Sequence, residues 1–326
     1  MKKLKYGIGI WTVGFTADRF IPNGYRPAGT FVKQIEDVAR IPGVEAVQIH
    51  FPDDFEGYTP KEVKDIVNSN GLELKTVNMN LFGNPVFKFG AFTNADEKIR
   101  RLAIDSCLRG IETIRGIGVS HLEMWPGQDG FDYNFQSDYN HLWDGTVTAL
   151  KEITGSAPDI KFSYEYKLKE PRMYCLVSNA GRALALANEV GASNFGIALD
   201  YGHSLLSREN PAEALDFLTR SNKLFNIHFN DAYGEFDDDM ISGTVSVWKT
   251  LEFIYHLKNS DYDGYVNLDM FPFREDQVEA AALAVRMGQT FEALAETLDM
   301  ETIRQYQRVN NLPAIFEELR KHVLVR

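Results

Sequence analysis

The sequence predicts an α/β chain folded as a (β/α)8 TIM barrel with a short helical C-terminal extension, and three observations carry that expectation. Short apolar runs alternate with amphipathic stretches along most of the chain. The alternation repeats eight times. Five of the runs stop at side chains able to bind metal or move protons: Gln48-Ile49-His50, Tyr164-Glu165-Tyr166-Lys167, Ala198-Leu199-Asp200-Tyr201-Gly202-His203, Asn226-Ile227-His228-Phe229-Asn230-Asp231 and Val266-Asn267-Leu268-Asp269. In a barrel of this kind, the C-terminal ends of the strands form one rim, so groups arriving from five strands would converge there.

Each strand is assigned to a short apolar run and each helix to a longer stretch with one apolar face. In chain order, strand 5–11 is followed by helix 30–40, strand 46–50 by helix 60–70, strand 73–80 by helix 96–117, and strand 121–125 by helix 139–154. Strand 161–167 then leads to helix 178–190, strand 195–200 to helix 212–221, strand 224–229 to helix 245–259, and strand 265–270 to the tail. Such eightfold alternation favours a closed parallel barrel over an open sheet. Residues 277–325 read as helix with one break at Pro313. The chain is therefore divided into a catalytic barrel, 1–276, and an extension, 277–326, expected to touch a neighbouring subunit. Two loops, 82–95 and 230–244, exceed the usual connection of about 2–6 residues and are expected to carry function.

With 326 residues, 44% hydrophobic and 12% aromatic, the chain can bury a core large enough for one barrel. It lacks an apolar run of about 18 residues, and its start, Met1-Lys2-Lys3-Leu4-Lys5, passes into a strand without a signal-peptide core. The expectation is a cytoplasmic protein with no membrane partner. A formal net charge of −12 would repel a polyanion, so nucleic acid is not expected as a partner. Cys107 and Cys175 are neither a metal pair nor a disulfide framework and read as reduced spectators.

Glu165, Asp200, His228 and Asp269 come from four consecutive strand ends. Carboxylates with an imidazole make an oxygen-rich site for a hard or borderline dication, with positions left for substrate oxygens. A lone Asp at a strand end is ordinarily a helix cap or a salt-bridge partner, but four in register are less ordinary. His203 follows Asp200 by three positions, and Asp237 and Asp239 form Asp-x-Asp in the loop after His228. These could bind a second cation with Asp200 bridging, or the acidic run 236–239 could be only a solvated turn.

Asp53 lies three residues beyond His50, where a carboxylate could fix the ring tautomer and make the imidazole a general base; a satisfied core histidine is the alternative. Lys167 alternates with Glu165 and would share its face, suiting it to stabilise charge on an oxygen. Trp11, Phe82 and Trp125 would form apolar walls over a polar floor, an arrangement that suits a sugar, although each aromatic alone could be core.

These motifs resemble the xylose isomerases, over nearly all of residues 6–310. Gly9-Ile10-Trp11-Thr12-Val13-Gly14-Phe15 resembles the family's opening strand, and His50-Phe51-Pro52-Asp53-Asp54 its ring-opening pair. Asn80-Leu81-Phe82-Gly83-Asn84-Pro85-Val86-Phe87-Lys88, Gly90-Ala91-Phe92-Thr93 and Arg100-Arg101 form a long match, as do Trp125 with Gly127 and Gly130, Glu165-Tyr166-Lys167 with Glu170-Pro171-Arg172, and Tyr262-Asp263-Gly264 through Asp269 to Arg274-Glu275-Asp276.

The resemblance implies two divalent cations per subunit, Mg2+, Mn2+ or Co2+, or Zn2+. Glu165, Asp200, His228 and Asp269 would hold the first, and Asp200, His203, Asp237 and Asp239 the second. It also implies catalytic roles for His50, Asp53 and Lys167, with Lys167 at the carbonyl end of the open sugar, and substrate contacts from Trp11, Phe82 and Trp125. Phe20 would reach into a neighbouring subunit's pocket. Two departures, Asp200 for a glutamate and His228 for an aspartate, are similar to the rhamnose isomerase branch and favour a more borderline ion. The chain also stops short of the family's subunit-embracing arm, leaving a homodimer or homotetramer. The expected activity is metal-dependent aldose–ketose isomerisation by hydride shift, D-xylose to D-xylulose first. Another aldose such as rhamnose, or ketose 3-epimerisation, is the alternative. A barrel endonuclease and a non-catalytic sugar-binding protein are the rivals from other classes.

Overall fold

Eight short strands alternate with helices and close into a parallel barrel. The structure, a computed structural model, describes residues 2–323. The strands are β1 (Lys5–Gly9), β2 (Val44–Phe51), β3 (Glu73–Met79), β4 (His121–Met124), β5 (Lys161–Glu165), β6 (Phe195–Asp200), β7 (Leu224–Phe229) and β8 (Tyr265–Leu268). Each pairs in parallel with its chain neighbours, and β8 pairs with β1 to complete the ring. A closed ring leaves no edge strand, and parallel strands are bridged by the helices that cover them. The (β/α)8 TIM barrel with C-terminal helices expected from the sequence is the fold observed.

The outer layer comprises α1 (Phe31–Ala39), α2 (Pro60–Ser69), α3 (Glu97–Gly116), α4 (Tyr139–Ser156), α5 (Ala180–Val190), the short α6 (Tyr201–Leu206), α7 (Pro211–Arg220), α8 (Val247–Asn259) and α9 (Gln277–Thr297). Sequence chemistry sets several starts. Thr59 and Glu62 form a reciprocal capping box before α2, with Pro60 in its first turn. Asn210 caps α7 through the Ala212 N–H, and Asp276 caps α9 through the Glu279 N–H. Each helix turns an apolar stripe onto the strands, where Phe162, Phe195, Phe229 and Phe253 are fully buried. This strand–helix layer is the main hydrophobic core.

The tail differs from the helix with a single break at Pro313 expected from the sequence. It consists of α9, α10 (Met300–Arg308) and α11 (Leu312–Val323). It breaks near Asp299, whose side chain caps α10 by accepting from the Thr302 N–H, and again near Asn310, which has φ +54°. Pro313 falls in the first turn of α11, where a missing N–H has no intrahelical partner to lose. The rest of the expected tail helix, residues 324–325, lies outside the described residues.

β1, β5 and β8 each stop two residues before the expected end, and a small sheet forms beside the rim. β1 stops at Gly9, and Trp11 lies in a 3-10 turn, Ile10–Val13, its ring folded back so closely that any side chain at position 9 would collide with it. β5 stops at Glu165, so Lys167 lies beyond the strand, its N–H bonded to Val177 O at 3.2 Å. Gly130–Phe131, Lys169–Glu170 and Met173–Cys175 form a small antiparallel sheet that ties the loops after β4 and β5 together beside the rim.

Candidate metal centre and substrate pocket

The C-terminal rim collects side chains from nearly every strand because each strand ends at the same level. Glu165 and Asp200 are the last residues of β5 and β6, His228 is next to last in β7, and Asp269 follows β8. One ligand atom from each lies within 4.8 Å of the others. His228 Nδ1 is 2.9 Å from Asp269 Oδ2 and 3.3 Å from Glu165 Oε1. Both His228 Nδ1 and Glu165 Oε1 are buried without a hydrogen-bond partner. Buried polar atoms without partners are costly. Two of them facing each other within a set of three carboxylates and one imidazole are a donor arrangement that a divalent cation satisfies.

The surrounding contacts hold these donors in place. Asp200 Oδ1 caps α6 by accepting from the His203 N–H at 2.7 Å, while Oδ2 accepts from Asn230 Nδ2 at 3.0 Å. Asp269 Oδ1 accepts from Trp11 Nε1 at 2.6 Å. Burial pushes Asp200 up to about 7, with Glu165 and Asp269 adding to the shift and His203 opposing it. Burial alone would depress His228, but Glu123, Glu165 and Asp269 outweigh it and hold the imidazole well above its ordinary value.

The residues expected to hold a second cation gather less tightly. His203 Nδ1 is 3.1 Å from Glu165 Oε1 and 4.0 Å from Asp200 Oδ1, and its Nε2 is 3.4 Å from Asp237 Oδ1. Asp237 is also paired with Lys167, which pairs with Glu170 as well. Asp239 accepts from Asn230 Nδ2 at 3.2 Å. Among the described residues, only the group of Glu165, Asp200, His228 and Asp269 converges as a metal cluster. Burial would lower the Lys167 ammonium, yet Asp237 and Glu170 hold it well above its ordinary value, so it stays protonated.

An aromatic wall stands beside this polar floor. His50 lies 4.6 Å from the Trp11 ring and 6.0 Å from Phe82, and Phe82 lies 4.7 Å from Trp125. Lys167 Nζ sits 4.9 Å from the Trp125 ring centre. Burial holds His50 below its ordinary value, leaving a neutral imidazole near pH 7. Its backbone N–H donates to Asp54 Oδ2 at 2.6 Å, whereas Asp53 accepts from the Asn80 amide. No hydrogen bond joins Asp53 to the His50 ring among the described residues; Asp53 acts on it only through its charge. Phe20 stands apart from the group, 76% exposed.

Several contributors carry no motif. Asp129 is 1% exposed and anchors the 82–95 loop, and Asp231 ties its own loop to α8 through the Val245 and Ser246 N–H groups at 2.9 and 3.1 Å. Glu123, Ser163 and Asn226 point into the barrel beneath His228. The one signal that marks them is a polar residue inside an apolar strand, as in Leu122-Glu123-Met124.

Residues 35–290 match the family model described as xylose isomerase-like TIM barrel. The xylose isomerase of Thermus thermophilus is 26% identical over 327 residues, covering 96% of this chain and 84% of its own. Among solved structures, a D-allulose 3-epimerase from Methylomonas sp. in complex with D-allulose superposes with a TM-score of 0.69 at 17% identity, covering 89% of this chain and 98% of that one. The IOLI protein with a bound zinc atom gives 0.63 at 18% identity over 90% and 98%.

Proposed function

Because this chain belongs to the xylose isomerase-like TIM barrel family, we propose that it is a metal-dependent aldose–ketose isomerase, with D-xylose to D-xylulose as the first reaction to test. The family and its relatives support an enzyme of the sugar isomerase and epimerase group. Lys167, a cationic side chain 4% exposed beside the metal cluster and over Trp125, supports isomerisation in particular.

Glu165, Asp200, His228 and Asp269 would hold one divalent cation, Mg2+, Mn2+ or Co2+, with Zn2+ also suited to the imidazole. When bound, the cation supplies Lewis-acid polarisation of substrate oxygens. The remaining roles belong to the chain. Neutral His50 takes the anomeric hydroxyl proton and passes it to the ring oxygen as the C1–O5 bond breaks, flanked by Trp11 and Phe82, whose faces pack on the sugar's C–H side. Lys167 donates a charge-assisted hydrogen bond to O1 of the open aldose. The C2 hydrogen then moves with its electron pair to C1 while the O2 proton passes to O1, yielding the ketose. Phe82 and Trp125 keep water from the reacting carbons. A second cation at Asp200, His203, Asp237 and Asp239 would take Asp237 Oδ1, the oxygen that faces His203 and does not pair with Lys167.

The alternative is ketose 3-epimerisation, which suits the neighbouring fold. It needs a base free to act on each face of one carbon, and Asp269 is already held by Trp11 and His228. Rhamnose or another aldose remains the alternative within isomerisation. The test is to give metal-free protein Mg2+, Mn2+ or Co2+ with a panel of aldoses deuterated at C2, and to follow the label. Ketose carrying deuterium at C1 is expected. Wholesale exchange of the label with water, or turnover of ketoses alone, would refute the hydride route.

A further inference from the structure

Barrel interiors of this fold are filled by branched apolar side chains. Here Gln48, Asn78, Glu123, Ser163, Asn226 and Asn267 meet beneath the rim, each no more than 7% exposed. Glu123 is the ionisable member. Its Oε2 accepts from Ser163 Oγ at 2.6 Å and from Asn226 Nδ2 at 2.8 Å. Its Oε1 has no hydrogen bond of its own and lies 3.0 Å from His228 Nε2. That ring nitrogen is also 2.9 Å from Gln48 Oε1 and 3.4 Å from Asn226 Nδ2.

A buried carboxylate oxygen without a hydrogen bond is strongly disfavoured, so Glu123 calls for an explanation. The opposite ring nitrogen supplies it: His228 Nδ1 faces Glu165 and Asp269 and is itself without a hydrogen bond. Once Nδ1 is a ligand, the ring's proton can reside only on Nε2, directly against Glu123 Oε1. We propose that Glu123 is a positioning residue of the metal centre: held by Ser163 and Asn226, it fixes His228 with the proton on Nε2 and Nδ1 turned to the cation. This rests on the metal-centre reading above. A carboxylate behind an imidazole orients the ring and strengthens it as a ligand. Ser163 is braced in turn by His121 Nε2 at 2.8 Å, which lines a cavity of about 420 Å³ at the opposite mouth of the barrel.

The test is Co2+ binding to the metal-free full chain, followed by calorimetry and by the visible spectrum of the bound ion. Glu123→Gln keeps the shape and is expected to bind about 10- to 100-fold more weakly with an altered spectrum, and Ser163→Ala to show a smaller loss in the same direction. Wild-type affinity and spectrum in Glu123→Gln would overturn the proposal. Should that variant not fold, nitrogen-15 shifts of the histidines in Zn2+-loaded wild type decide: a proton on Nε2 and metal on Nδ1 of His228 are expected, and the reverse overturns it. Failure of the wild type to take up Co2+ would instead remove the metal centre itself, and this inference with it.

Discussion

Replacing Asp129 tests how the 82–95 loop, which carries Phe82, is held. The carboxylate accepts from the N–H groups of Ala91 (2.5 Å), Phe92 (3.1 Å) and Thr93 (3.3 Å) and from Thr93 Oγ (2.7 Å). In Asp129→Asn, an amide oxygen at the Oδ1 position keeps the bonds to Ala91 and Thr93, while the NH2 meets the Phe92 N–H. One buried donor is then unsatisfied, at a cost of about 1–3 kcal/mol, and the remaining bonds lose their charge assistance. We expect a loss of about 2 kcal/mol at pH 7, or about 3 °C in Tm for an unfolding entropy of about 2 cal/mol/K per residue. Burial pushes Asp129 up to about 6 from 3.8, so the native state holds its proton more tightly than the unfolded chain does. The stability added by this raised pKa is therefore full below about pH 4 and is lost as pH rises through 6, leaving the hydrogen bonds as the contribution of Asp129 at pH 7. Urea unfolding of both proteins should show a gap that narrows from pH 4 to pH 7. A gap below about 0.5 kcal/mol at pH 7, or one that widens with pH, would refute this account of the loop.

Lys167→Met should lower kcat at least about 100-fold, measured as ketose formed under saturating cation and sugar; wild-type turnover would take Lys167 out of the reaction. His50→Asn should slow turnover of cyclic sugar far more than that of freshly generated open-chain sugar, and equal slowing of both would remove its ring-opening role. Gly7→Ala places a Cβ against Asn267 Oδ1 and should cost about 1–3 kcal/mol in thermal unfolding. Chelating divalent cations with EDTA should lower Tm, and Mn2+ at about 100 times its Kd should restore about 3 kcal/mol; an unmoved Tm would argue against the cation site.

The alternation of apolar runs was enough to read all eight strands and the helices that cover them except the short α6, because hydrophobic burial leaves a local record in the chain. The cluster of Glu165, Asp200, His228 and Asp269 was legible for a related reason: strand ends are easy to locate, and the fold brings them together. Lys167 proved to lie past its strand, and Trp11 in a turn, since the last residue of a strand depends on hydrogen bonds from a neighbour that the local pattern does not encode. The breaks at Asp299 and Asn310 were hidden behind Pro313, a stronger helix-breaking signal that here begins a helix. The pairing of Asp237 with Lys167 and the approach of Glu123 to His228 join residues far apart in sequence, and no spacing rule reports such contacts.

The division of labour at the rim has an evolutionary consequence. Three of the four proposed cation ligands are fixed to barrel strands, and the fourth directly follows one, whereas Phe82 rides on a long connection and Trp125 opens another. Insertions or exchanges in those connections can remodel what the pocket accepts without disturbing the strand ends. A change of sugar is therefore cheaper for this scaffold than a change of ion, and libraries aimed at new substrates belong in residues 82–95 rather than among the ligands.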